Sequence, residues 1–287
     1  MKTIGFVTFE KYHAKSNIGS SRIRGRWVWE KINEIFPDEY KAEEFVFGKK
    51  YDVVIFQKAY WVEYAKNFTG LKILDLCDPD WLHWGSNMVE MIQEVDLITC
   101  SSVEITEYVQ KLTDKPVFYI PDTIKIEDIK RTKEHKGQLK RVAWFGYSHN
   151  FPIIDWTIKS LDNRNLELIV ISDNAYRPPV GINNVNVINY KWSEEVIYDD
   201  LLKADVVLNP KKNSGRFKYK SNNKSLVAWA LGLPVIEKDE DFDKFKEEES
   251  RKKESESVRR LVREHYSSDK HAKELVSLIK KYEKENN

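Results

Sequence analysis

The feature that most constrains this chain is an alternation. Short runs of β-branched and apolar residues are separated by amphipathic stretches of helical length, and the pattern stops once and then resumes. Thr3–Phe9, Tyr51–Phe56, Lys72–Leu76, Asp96–Cys100 and Val117–Ile120 read as five strands, with a helix from about Ser21 to Phe36 placing Val28, Ile32, Ile35 and Phe36 on one face. Strands spaced by helical segments make βαβ units and a parallel sheet. After Pro121 comes a charged stretch, Lys125–Lys140, which reads as a linker or surface helix. The alternation then restarts with Arg141–Phe145, Leu166–Ser172, Val185–Ile188, Asp205–Leu208 and Pro234–Ile236, with a helix over Asn222–Leu231. The expectation is an α/β chain of two doubly wound, Rossmann-like halves, 1–124 and 141–240, joined by 125–140. The remainder, 241–287, is expected to form C-terminal helices that pack back on the body. Within it, Asp241–Arg260 holds seven acidic and seven basic residues and reads as a solvated helix face. Ala272, Leu275, Val276, Ile279 and Tyr282 recur at helical spacing, the pattern expected of a segment that packs back onto the body.

Composition narrows the function. A formal net charge of +1 over 287 residues makes the chain no general magnet for nucleic acid or membrane, so any basic site must be local. Two cysteines, Cys77 and Cys100, sit in or beside apolar runs and read as buried thiols; no zinc spacing or disulfide framework is present, so no metal is expected. The chain enters its first strand without a signal peptide, and no apolar run approaches the roughly 20 residues of a membrane span. The expected location is the cytoplasm.

In open α/β sheets ligands bind beyond the carboxyl ends of the strands, so the residues after each strand are the candidates. In Phe217–Ile236 a basic loop leads into a helix. Its free N–H groups and positive dipole end suit a diphosphate, with Ser221, Asn222 and Asn223 as caps or donors and Lys218, Lys220 and Lys224 as charge. After Arg141–Phe145, Gly146 lets amides approach a phosphate, and Tyr147, Ser148 and Asn150 add donors. The loop Tyr12–Arg26 holds Asn17, Gly19, Ser21, Arg22 and Arg24; positive charge at a helix start opposes the dipole, which hints at a partner anion. At the end of the third strand, Asp78 and Asp80 suit general-base work on a hydroxyl, with Trp81 and Trp84 as a stacking wall and His13 as an alternative base. For each of these the bland alternative is an ordinary capped helix, turn aspartate or structural histidine.

The order of several loose motifs adds a resemblance. Val95–Val109 followed by Lys115–Asp122, then Arg141–Gly146, Trp192, Ala204–Pro210, and finally Ala228–Ile236 (AWALGLPVI) resemble the successive landmarks of glycosyltransferases with the GT-B fold, of the family 4 and family 1 type, over roughly the whole chain. Compact phage members of that group are similar in length, and some add sugars to hydroxymethylated pyrimidines in DNA. The resemblance implies two Rossmann-like domains with parallel sheets facing across a cleft. It also implies transfer of a sugar, glucose foremost, from a UDP-linked donor to an acceptor hydroxyl, with no separate cofactor. Base and ribose would lie near Ser172, Asp173 and Trp192, the phosphates against the amides of Gly146–Ser148 with Lys220, Ser221 and Lys224, and the acceptor near His13, Asp78 and Trp81. DNA is one acceptor to be tested; the oligomeric state stays open. Two departures stand out: the paired glutamates of many retaining members are replaced by Tyr219 and Val227, and the Arg and Lys that usually follow the second-half glycine are missing. Alternatives on the same fold are a sugar-nucleotide epimerase and a non-catalytic sugar-nucleotide-binding module.

Overall fold

A computed structural model of the chain describes residues 1–82 and 87–286. It divides into two compact units. One comprises Met1–Lys125, Asn213–Asn222 and Tyr266–Asn287, the other Ile126–Lys212 and Asn223–His265. Two stretches therefore fall outside the expected halves: 213–222 and the C-terminal helix both belong to the first unit.

The first unit is a six-stranded parallel sheet in the order β2-β1-β3-β4-β5-β6, formed by β1 Lys2–Val7, β2 Tyr40–Glu44, β3 Val53–Gln57, β4 Leu71–Leu76, β5 Leu97–Cys100 and β6 Val117–Tyr119. All five residues of β3 are buried, as expected of a parallel strand covered on both faces. Successive residues serve opposite layers: Val54 and Phe56 join one core, Val53 and Ile55 the other. Only β2 went unpredicted. It is an edge strand of sequence YKAEE with Tyr40 and Ala42 alone buried, too polar to announce itself.

The predicted first helix is continuous but not uniform. It opens at Gly19–Ser21, widens to a π-helical turn over Arg22–Arg26 and becomes α-helical over Trp27–Ile35. A Cβ on Gly25 would approach the Thr8 side chain to 2.7 Å, so the glycine lets the wide turn press on the end of β1. The helix Ser268–Asn286 completes this layer, with Ala272, Leu275, Val276 and Ile279 buried beside Val28 and Ile32 as their spacing predicts.

The second unit is a five-stranded parallel sheet in the order β11-β10-β7-β8-β9, formed by β7 Arg141–Phe145, β8 Glu167–Ser172, β9 Val187–Lys191, β10 Val206–Leu208 and β11 Val235–Ile236. Residues 126–140, expected to form a linker or surface helix, are packed into this unit. Lys133 N–H donates to the Leu231 carbonyl (2.8 Å), Leu139 N–H to the Lys246 carbonyl (2.9 Å), and buried His135 bonds the Gly232 carbonyl through Nε2 (2.9 Å). Composition could not reveal this, because backbone groups make much of the attachment.

The charged stretch after 240 also has an inner face. In the helix Glu248–His265, Arg251, Ser255, Val258 and Val262 form a buried stripe. Arg251 is fully buried and donates to the carbonyls of Phe245, Lys246 and Gly137. Its guanidinium serves backbone carbonyls rather than facing water.

Each sheet reverses its strand order once, at β1/β3 and at β7/β10. Such switch points leave a crevice beyond the carboxyl ends of the two strands, which is where ligands bind in this architecture.

Candidate functional site

At the switch point of the second unit, Gly146 follows β7 and Asn209 follows β10. Gly146 has φ 144°, and a Cβ there would lie 3.0 Å from Lys224 Nζ and 3.3 Å from the Trp144 ring. Lys224 Nζ also sits 4.4 Å from the centroid of Trp144, which is wholly buried. Lys224 belongs to the first turn of the helix Asn223–Ala230, and the next residue, buried Ser225, accepts a 3.0 Å hydrogen bond from Asn209 Nδ2. That bond ties the helix start to the end of β10, while Lys224 lies over the end of β7. A positive helix end and an ammonium thus converge where the strand order reverses.

The loop after β7 is braced from β8. Asp173 accepts from Ser148 N–H (2.7 Å), Ser148 Oγ (3.1 Å) and Ser172 Oγ (3.0 Å), and Asn174 Nδ2 donates to Ser148 Oγ (2.9 Å). Burial alone would raise the Asp173 pKa, but these donors hold it below the usual carboxylate range. Gly146 N–H donates to the Ile171 carbonyl at 3.1 Å. The amides of Gly146 and Ser148, expected to cradle phosphate, are therefore already engaged within the protein. Tyr147 is exposed and stacks on His149 at 5.8 Å; Asn150 is buried and bonds the His149 ring (3.1 Å). Trp192 follows β9 and donates its N–H to the Ser172 carbonyl at 2.9 Å. Gly146, Ser148, Ser172, Asp173, Trp192 and Lys224 accordingly share the carboxyl edge of one sheet.

At the corresponding edge of the first unit, the partner anion sought for Arg24 is internal. Arg24 is buried on the π-helical turn and forks onto Asp75 through Nε (2.8 Å) and Nη2 (2.6 Å). Its Nη1 donates to Asp122 Oδ1 and the Ile120 carbonyl, both at 3.0 Å. Burial alone would lower the Arg24 pKa, but the two carboxylates outweigh it and keep the guanidinium charged. Arg24 is thus a core element and not a phosphate ligand. Asp122 in turn accepts from Ser221 Oγ (2.6 Å), so Ser221 anchors its loop instead of presenting a hydroxyl.

Lys220 is engaged too. Its Nζ lies 2.7 Å from Asp78 Oδ1, and Lys58 Nζ lies 2.7 Å from Asp78 Oδ2. Burial would raise the Asp78 pKa, yet Lys220 and Lys58 pull it well below the usual carboxylate range, which makes Asp78 a weak base. Asp80 behaves oppositely. Tyr60 OH donates to it at 2.8 Å and Lys58 lies 3.4 Å away, but burial dominates and raises its pKa. The pKa of His13, in the helix Phe9–His13 after β1, is lowered by burial and by Lys15 and Lys58, so the ring is neutral near pH 7. Trp81 stacks face to face on Tyr108 (4.3 Å, 5°) and meets Tyr219 edge-on at 5.2 Å, so its ring is engaged within the unit. Trp84 lies outside the described residues.

The other candidates in this unit are mainly architectural. Ser21 is buried, accepts from Glu10 N–H (3.1 Å) and donates to Gln57 Oε1 (3.2 Å). Asn17 takes a left-handed φ of 61°, Gly19 opens the helical stretch, and Arg22 lies over the Trp27 ring at 5.7 Å. Lys218 is exposed and rests 5.7 Å from the Tyr219 ring. Asn222 Oδ1 and Asn223 Nδ2 are buried with no hydrogen-bond partner among the described residues. The sequence reading missed Lys58, Tyr60, Asp122 and Asn209. Lys58 left a signal in the sequence, as the first basic residue after the strand Val53–Gln57; the structure adds a left-handed φ of 52°, a strain that concentrates at functional sites.

No protein-family model matches the chain, and no curated protein matches it. Solved structures do, at low identity. Anabaena HepE in complex with UDP and glucose aligns with a TM-score of 0.67 at 10% identity, over 98% of this chain and 100% of that one. The lipopolysaccharide outer core galactosyltransferase WaaB in its apo form gives 0.59 at 13% identity, over 94% and 97%. A trehalose-6-phosphate synthase studied with bisubstrate glycomimetics gives 0.56 at 6% identity, over 88% and 78%. With two all-parallel α/β units and these likenesses, the chain has the GT-B fold.

Proposed function

We propose that the chain is a glycosyltransferase that moves a sugar from a nucleotide-sugar donor to an acceptor hydroxyl, with a UDP-sugar, UDP-glucose first, as donor. The carrying observation is Lys224 against Gly146 at the β7/β10 switch point. The reading draws further support from HepE, a protein of the same fold solved with UDP-glucose.

In this mechanism Lys224 and the start of its helix stabilise the charge that grows on the departing diphosphate, the step at which preorganised positive charge matters most. Ser172, Asp173 and Trp192 line the same edge and take the nucleoside. Because Gly146 N–H and Ser148 N–H are engaged, the diphosphate charge rests on Lys224 rather than on a loop of amides. Lys220 stays with Asp78. Among the candidate bases of the first unit, burial and neighbouring charge leave His13 and Asp80 able to take a proton, while two lysines make Asp78 a weak base. DNA is among the acceptors to test.

The test begins with UDP-glucose binding by calorimetry, followed by incubation with labelled donor and an acceptor panel that includes hydroxymethylated DNA. Binding with label transferred to an acceptor supports the reading. A new sugar nucleotide formed without acceptor shows an epimerase, binding with no turnover across the panel shows a binding module, and either result overturns it.

A further inference from the structure

A second basic site lies away from the carboxyl edges. In the second unit, the helix Glu248–His265 and residues 126–132 wall a cavity of about 230 Å³. Its charged lining is Lys130, Arg131, Arg259 and Arg263, and its apolar lining includes Ile129 and Val262. Ala230 also lines it, at the far end of the helix that begins beside Lys224, so helix rise alone sets this cavity roughly 10 Å from the β7/β10 switch point.

The charges are unevenly compensated. Arg131 pairs with Asp199, and Lys130 Nζ donates to the Glu127 carbonyl at 2.7 Å. Among the described residues, neither Arg259 nor Arg263 makes an ion pair. They stand four residues apart on one helix face, a spacing at which like charges repel. Arg259 is also held in place: a Cβ on Gly232 would come 3.1 Å from its Cδ, and its Nε is buried with no hydrogen-bond partner. An unpaired buried donor is costly unless something accepts from it. Guanidinium forks match phosphate oxygens in geometry and charge.

We propose that this cavity is a binding site for a small phosphate-bearing ligand, with Arg259 and Arg263 as its principal ligands and Lys130 as an outer cation. A recess of this volume holds a phosphate or diphosphate group and part of what carries it, not the backbone of a duplex. The proposal does not depend on glycosyl transfer.

The probe is inorganic pyrophosphate, titrated by calorimetry into the full chain at constant ionic strength in chloride. The Lys224→Met variant is used throughout, so that binding at the proposed donor site does not intrude. We expect saturable binding that weakens by roughly tenfold or more in Arg259→Gln/Arg263→Gln, the loss of at least one charge-assisted hydrogen bond. Arg263→Glu, a change at an exposed position, should weaken it likewise with the melting temperature unchanged, which covers the case in which the double variant fails to fold. Unchanged affinity in Arg263→Glu, or no saturable binding at millimolar pyrophosphate, overturns the proposal. Displacement of pyrophosphate by a short DNA duplex as effectively as by orthophosphate overturns the small-ligand assignment. Because Lys224 is absent from these titrations, failure here is distinct from failure of the glycosyltransferase reading, which UDP-glucose binding to the wild type decides.

Discussion

The two carboxyl edges use their charges in opposite ways. At the first, nearly every ionisable group has a partner within the unit: Arg24 with Asp75 and Asp122, Lys58 and Lys220 with Asp78, Tyr60 with Asp80. At the second, Lys224 rests on a glycine and an indole, while the carboxylate, Asp173, braces a loop. A basic residue in a loop is therefore no sign of an anion site by itself. The first edge sets its cations against internal carboxylates, and the second sets one over Gly146, whose φ of 144° other residues rarely adopt.

The hardest test of that contrast is Arg24→Met. It leaves Asp75 and Asp122 buried without their cation and should destabilise the first unit by about 3–5 kcal/mol in urea unfolding. Arg24→Lys should recover only part of the loss, since an ammonium cannot form the fork on Asp75. A shift under about 1 kcal/mol would mean that Arg24 is not structural and that the contrast is wrong. Lys224→Met should be felt in turnover: glycosyl transfer from UDP-glucose should fall by about 10²–10³, the scale of losing one group that stabilises developing negative charge.

Those two residues also show what the sequence could and could not disclose. The meeting of Lys224 with Gly146 is legible because its cues are local: a glycine directly after one strand and a lysine in the first turn of a helix. Arg24 looked just as promising, but its carboxylate is 51 residues away on β4. No local pattern announces a partner at that separation. The strands were legible wherever both faces are buried, as in β3, and β2 was not, because an edge strand needs few apolar residues. The packing of 126–140 was hidden for a different reason. Much of what holds it is bonding to backbone carbonyls, which any sequence offers.

The two aspartates of the first edge sharpen the comparison at a finer level. With Asp80 as the acceptor, Asp80→Asn should lower kcat/KM by about 10², the lower range for a positioned proton acceptor. Asp78→Asn should cost less than about tenfold, because a carboxylate held by two lysines is already too weak a base to take a proton. The pH profile gives an independent reading. With His13 as the acceptor, its lowered pKa places the acid limb of kcat/KM below pH 6.5, and activity is lost as the ring protonates. His13→Asn would then abolish that limb along with most of the rate. An acid limb centred above pH 6.5 would exclude the burial that lowers this pKa.

The smallest expected effect tests the contrast from the other side. Lys218 was a candidate for the diphosphate on charge and position alone. It is exposed, it belongs to the first unit with residues 213–222, and its ammonium lies over the Tyr219 ring. An exposed contact of this kind contributes about 0.5–1 kcal/mol, and part of that returns as hydration when it is lost. Lys218→Ala should therefore leave UDP-glucose affinity within about twofold of wild type, well inside one hydrogen bond in free energy. If calorimetry instead shows a tenfold loss, the exposed lysines of 213–222 do bind the donor. The sequence pattern would then have located the anion site more accurately than the charge pairing at the two edges does.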